Sequence, residues 1–117
     1  MIEKKYIHGM RKSYQEYATI RRDVIVHAGD ALHLAKRAIF AMHRGDLKEA
    51  ETKMNDAKKM CIALQKKYKK TPVFVEEGSY KAALEEYVEA RLLHQFITKG
   101  VIKKISDITI SSDVYLA

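Results

Sequence analysis

Residues 10–44 read MRKSYQEYATIRRDVIVHAGDALHLAKRAIFAMHR, and one row runs their whole length: Met10, Tyr14, Tyr17, Arg21, Val24, Ala28, Ala31, Ala35, Ala38, Met42. Its steps alternate four and three without a slip, the period of a helix packed lengthwise on its neighbours. Arg21 alone breaks the apolar character of the row, no proline interrupts it, and Gly29 is its weak helix former. A helix over about 10–44 would be roughly 50 Å long at ~1.5 Å per residue. Such a length points to an extended bundle or an assembly.

The chain is punctuated next by His43-Arg44-Gly45-Asp46. Gly45 can take the left-handed conformation that ends a helix, with His43 and Arg44 favourably near the negative end of its dipole. Asp46 can cap a second helix, and Glu49, three residues on, completes a box-like arrangement. A second row follows, Leu47, Ala50, Met54, Ala57, Cys61, Leu64, Tyr68, so a helix over about 47–70 folds back on the first as an antiparallel hairpin. Thr71-Pro72 breaks it, and 71–78 reads as a loop or a short helix from Pro72. A third helix is expected over about 79–99, stopped by Gly100. Beyond a short connection, Ser111, Ser112 or Asp113 could cap one more. The expected fold class is all-α, a long antiparallel hairpin plus a third long helix, within a single domain over 1–117.

Charge is unevenly placed. The chain carries 22 Lys+Arg against 15 Asp+Glu, and the whole positive excess lies in residues 1–70, with 17 basic and 8 acidic groups. That asymmetry fits a polyanion partner, although a lysine-rich surface that is merely well solvated reads the same from charge alone. The basic groups off the packing rows, Arg22, Lys36, Arg37 and Arg44 first among them, are the candidate phosphate contacts. No apolar run approaches the ~18 residues of a membrane span, and the start lacks a signal-peptide core, so a cytoplasmic protein without a membrane is expected. One cysteine, Cys61, excludes an intrachain disulfide framework and a cysteine-based zinc cluster.

Glu86 and Glu89 stand i, i+3 in the predicted third helix, inside the otherwise apolar row Ala82, Glu86, Glu89, Leu93, Phe96. Burying two like charges together is costly unless a cation or a proton compensates them. A hard divalent ion such as Mg²⁺ suits the pair, because it takes oxygen ligands and could activate water or stabilise a phosphoryl transition state. Equally, the row could face solvent with both acids paired to Lys or Arg.

The segment Leu84-Glu85-Glu86-Tyr87-Val88-Glu89-Ala90, followed by His94-Gln95-Phe96-Ile97, resembles the LQEYVEA helix of the translin/Trax family, closest to the Trax side. Upstream, Lys36-Arg37-Ala38-Ile39-Phe40-Ala41-Met42-His43-Arg44 is similar to that family's KRxIFxLHR helix end, and the likeness covers about residues 22–116. It implies a translin-like helical bundle that assembles into homo-oligomers or hetero-oligomers with a translin-like chain. It also implies single-stranded RNA or DNA as the partner and, on the Trax side, an Mg²⁺-dependent endoribonuclease. By that resemblance Glu86 and Glu89 are metal-binding and catalytic acids. In the family, the stretch matching Tyr115-Leu116-Ala117 opens a further helix whose DLTGE-like sequence carries the remaining acidic ligands. The expectation is therefore an N-terminal portion of such a fold, with a site incomplete in this chain alone.

Two other function classes compete. Arg22-x₄-His27 fits the short R-x₄–₆-H pattern of HEPN-type RNases, which cleave RNA by metal-free acid/base chemistry. The other class is a non-catalytic oligomeric scaffold whose carboxylates do no chemistry. The five histidines show no zinc spacing, Cys61 sits on a packing row, and Tyr14, Tyr17 and Tyr68 read as core or oligomer contacts rather than base-stacking groups.

Overall fold

A computed structural model of the chain describes residues 2–71 and 78–100. All three elements in it are helices: α1 (Ile2–His43), α2 (Leu47–Tyr68) and α3 (Gly78–Lys99). The molecule is all-α, and among the described residues there is no strand. The helix expected from about residue 10 in fact begins eight residues earlier. The opening residues carry no proline, and Gly9 weakens a helix without ending it.

The hairpin turn is closed by backbone chemistry. Gly45 takes φ +79°. Its N–H donates to Met42 O at 3.0 Å, and the Asp46 N–H donates to Ala41 O at 2.9 Å, the paired bonds of a Schellman end. Asp46 then caps α2, accepting from the Glu49 N–H at 3.1 Å. The expected box is only half formed. The Asp46 N–H is already taken by Ala41 O, so the Glu49 carboxylate turns to Arg44 Nη2, 2.8 Å away. Gly100 ends α3 with φ +70°, donating its N–H to Phe96 O at 3.0 Å. The segment expected to loop or coil from Pro72, and the cap residues Ser111, Ser112 and Asp113, lie outside the described residues.

Alanine dominates the buried face of α1. Ala28, Ala31, Ala35, Ala38 and Ala41 are all buried, as are Ala50 and Ala57 of α2 and Ala83 and Ala90 of α3. Small side chains on facing rows let helix axes approach closely, which is how one helix packs against two others at once. Near the middle of α1, Val24, Ala28 and Ala31 meet Cys61 and Leu64 of α2 and Tyr80, Leu84 and Val88 of α3. Toward the hairpin turn, Ala38, Ala41 and Met42 meet Ala50, Met54 and Ala90. Helix α3 therefore runs parallel to α1 and antiparallel to α2.

The packing row stops short of the N-terminus. Val24 to Met42 are buried as the periodicity requires, but Met10, Tyr14 and Tyr17 are 55%, 71% and 45% exposed. With 42 residues, α1 is nearly twice the length of α2 or α3, at 22 each. Its first turns project past both, within a molecule 68 Å long and only 24 by 20 Å across.

Candidate functional site

The structure distributes the predicted site residues over separate surfaces. On α3 the buried row is Tyr80, Ala83, Leu84, Tyr87, Val88 and Ala90. Glu86 and Glu89 stand on the adjoining row, Glu86 half-buried and Glu89 exposed. The two acids are thus rim residues of the bundle; of their row, Leu93 packs against the core near the hairpin turn while Phe96 is exposed. Burial still pushes the Glu89 carboxyl above the usual range, the negative charges of Glu86 and Glu85 push it the same way, and the Lys36 ammonium opposes them. Lys36, a candidate phosphate contact, is accordingly a neighbour of the carboxylates across the α1–α3 seam.

Whether these acids fit a divalent ion is decided by donor number. Among the described residues no three His, Cys, Asp or Glu side chains converge to hold a metal. Mg²⁺ keeps octahedral oxygen coordination and binds through one or two carboxylates together with water and substrate phosphates. Glu86 and Glu89, with a lysine beside them, supply at most one side of such a site. The residues present do not make a complete metal centre.

Arg22 and Arg37 share the outer face of α1, and Arg44 follows at its end, in the turn. At 3.6 residues per turn Arg22, Arg37 and His33 fall within about 60° of one another, opposite the buried row. All four are exposed. Arg44 is engaged with Glu49.

Arg22 and His27 point to different sides of α1, about 140° apart around the helix. Arg22 lines a shallow hollow with Tyr14, Tyr17, Ala18, Arg21 and Ile25. His27 lines another, with Asp23, Met60, Ala63, Leu64 and Lys67. There the His27 Nδ1 lies 2.9 Å from the Asp23 backbone carbonyl and 2.8 Å from Asp23 Oδ1, both acceptors, which makes Nδ1 the donor. Asp23 also accepts from Lys67 Nζ at 2.7 Å and from the Tyr68 hydroxyl. The Lys67 bond, the largest influence, and the Tyr68 bond hold its carboxyl below the usual range. This cluster was not singled out from the sequence. Folding the chain back about Gly45–Asp46 sets residue 68 opposite residue 23, so the register of the hairpin could have found it. A second unpredicted link joins α3 to α2, His94 Nε2 to Glu51 Oε1 at 3.1 Å.

No family model, curated protein or solved structure matches the chain. Among the described residues, no helix is long and apolar enough to cross a membrane.

Proposed function

We propose that this chain binds single-stranded RNA or DNA as a translin/Trax-like helical protein, in a homo-oligomer or beside a translin-like chain. The supporting observation is the display of charge. Among the described residues no charged side chain is buried. The 17 basic against 8 acidic groups of residues 1–70 therefore stand at the surface of the hairpin. Arg22 and Arg37 stand ~22 Å apart on the outer face of α1, with Arg44 following in the turn, long enough to follow a strand through several phosphates. Binding of this kind has little sequence discrimination and a steep salt dependence, about 0.7 in log K per log salt for each phosphate contacted on a single strand.

The test is fluorescence anisotropy with labelled oligo(U) and oligo(dT) across a salt series. Saturable binding whose affinity falls with salt supports the reading. Absence of binding even at low salt returns the protein to the scaffold class.

A metal-dependent endoribonuclease role belongs to this proposal only where a further segment or chain adds acids to Glu86 and Glu89. A second reading, metal-free RNA cleavage, is favoured by the Asp23–His27 pair, in which the Asp23 carbonyl and carboxylate hold an imidazole that lines an open hollow. Because Arg22 points elsewhere in the same chain, that chemistry would draw its arginine from another copy. Cleavage that survives EDTA and is lost in His27→Ala would support it.

A further inference from the structure

The projecting end of α1 is unlike the rest of the molecule. Beyond Asp23, where Lys67 and Tyr68 close the end of α2, some twenty residues of helix continue for ~30 Å. This arm exposes Tyr6 (68%), Ile7 (49%), Met10 (55%), Tyr14 (71%) and Tyr17 (45%). The row that is alanine where α2 and α3 cover it becomes large and aromatic where neither does. Two shallow hollows lie end to end along it, one lined by Met10, Arg11, Tyr14 and Gln15, the next by Tyr14, Tyr17, Ala18, Arg21, Arg22 and Ile25.

The charge beside this row selects its occupant. Residues 3–22 hold Lys4, Lys5, Arg11, Lys12, Arg21 and Arg22 against Glu3 and Glu16 only. At 3.6 residues per turn, Lys4, Arg11 and Arg22 fall within about 20° of one another, on an edge about 60–80° round the helix from Tyr14 and about 120–140° from Tyr17. A symmetric antiparallel pairing of two arms would set that edge against its own copy, cations beside cations, and like charges so placed repel. A polyanion that carries flat aromatic groups meets both features at once. Aromatic faces beside a line of cations are the elements with which proteins hold unpaired bases without reading sequence.

We infer that the α1 arm is a stacking platform for single-stranded nucleic acid. Tyr14 and Tyr17 take successive bases, and Arg11 and Arg22 bind the adjoining phosphates. This inference rests on the proposed nucleic-acid function and adds the place and mode of binding. It replaces the reading of these tyrosines as packing groups and moves the centre of the interface from the middle of α1 to its end.

The experiment compares wild type, Tyr14→Ala/Tyr17→Ala and Tyr14→Phe/Tyr17→Phe by anisotropy with labelled oligo(dT) and oligo(U) of about 15 nucleotides. Sedimentation is run on the same samples. Both tyrosines lie outside the core, so circular dichroism should show all three proteins equally helical. With two stacked bases lost, the alanine pair should weaken binding at least about thirtyfold while the phenylalanine pair stays within about threefold. The chain has seven tyrosines and no tryptophan, so strand binding should also quench the intrinsic tyrosine emission of wild type, and by less in the alanine pair. Wild-type binding that the alanine pair retains in full overturns the platform and leaves the proposed function standing. A duplex of equal length that competes as well as the single strand also overturns it. Loss of self-association in the alanine pair makes the arm an interface between copies and overturns it too. A wild type that binds no strand at all sinks the proposed function and the platform together.

Discussion

Lys67 Nζ lies 2.7 Å from Asp23 Oδ2, and this contact marks the level at which α1 leaves the bundle. On one side of it the helix is sheathed by α2 and α3; on the other it projects. The Tyr68 hydroxyl donates to the same carboxylate, and the Lys67 ammonium stands 5.3 Å from the centre of the Tyr68 ring. One carboxylate thus gathers the last turn of α2 onto α1.

Asp23→Asn should destabilise the protein at neutral pH and cost little in acid. The Lys67 and Tyr68 bonds lower the folded-state pKa of Asp23 below its usual value of 3.8. A depressed carboxyl pKa contributes stability that is complete above the unfolded value and is lost as pH falls through the folded one. The loss at pH 7 should be about 1 kcal/mol, since charged hydrogen bonds at a part-exposed site lie near the low end of their range. Urea melts at pH 7 and pH 3 check the sign. A penalty that is equal at both pH values would mean that the amide disturbs packing rather than charge.

Gly45→Ala should cost about 1–2 kcal/mol, because φ +79° is a conformation that an L side chain adopts only with strain. A Cβ added there would meet nothing within 4 Å, so the cost is purely of the backbone. Denaturant titration should show a lower midpoint with an unchanged slope. Gly29, within α1 and likewise unobstructed, should instead tolerate alanine or gain from it.

Sequence periodicity carried the fold a long way, and its failures have physical causes. The row Leu47, Ala50, Met54, Ala57, Cys61, Leu64, Tyr68 is the packed face of α2 nearly residue for residue, because a two-sided helix needs one apolar row to be covered. The same logic cannot say how far the covering helices reach. Met10, Tyr14 and Tyr17 keep the period of Val24 and Ala28 yet stand in solvent, since α2 ends at Tyr68 opposite Asp23. On α3, two neighbouring rows both look apolar, Ala83-Tyr87-Ala90 and Ala82-Glu86-Glu89-Leu93. A step of about 100° separates them, and only the packed neighbours decide which turns inward. The acids of the second row thereby end at the rim, beside Lys36, an arrangement of three helices that no local pattern encodes.

Cys61 should be unreactive in the native protein. It is fully buried against both other helices, and burial pushes its thiol up to about 12, so almost no thiolate is present at pH 8. Labelling with a small disulfide reagent should therefore be slow in buffer and fast in denaturant, following opening of the bundle. Rapid native labelling would contradict the packing of α2 between Val24 and Val88. Cys61→Ser should lower the unfolding midpoint, because it places an unpartnered hydroxyl in an apolar cluster.

The chain on its own should bind RNA in Mg²⁺ without cutting it. Two carboxylates at the rim of α3, with the Lys36 ammonium beside them, are the smallest set that holds Mg²⁺, and no third side-chain ligand joins them among the described residues to place a reacting water. Glu89 also begins from an unfavourable charge, its carboxyl raised by burial and by Glu86 and Glu85. A raised folded-state pKa means that this carboxylate destabilises the protein as pH climbs through that value. Glu89→Gln should consequently leave the melting temperature at pH 7 unchanged or raise it by about 1–3 °C, and below pH 4 the difference should vanish. End-labelled RNA incubated with Mg²⁺ or EDTA, with and without Glu86→Gln and Glu89→Gln, reads out the chemistry. Mg²⁺-dependent cleavage by the isolated chain, abolished by either substitution, would show that the two acids need no further ligand. Cleavage that appears only when a translin-like chain is added would locate the missing acids in that chain.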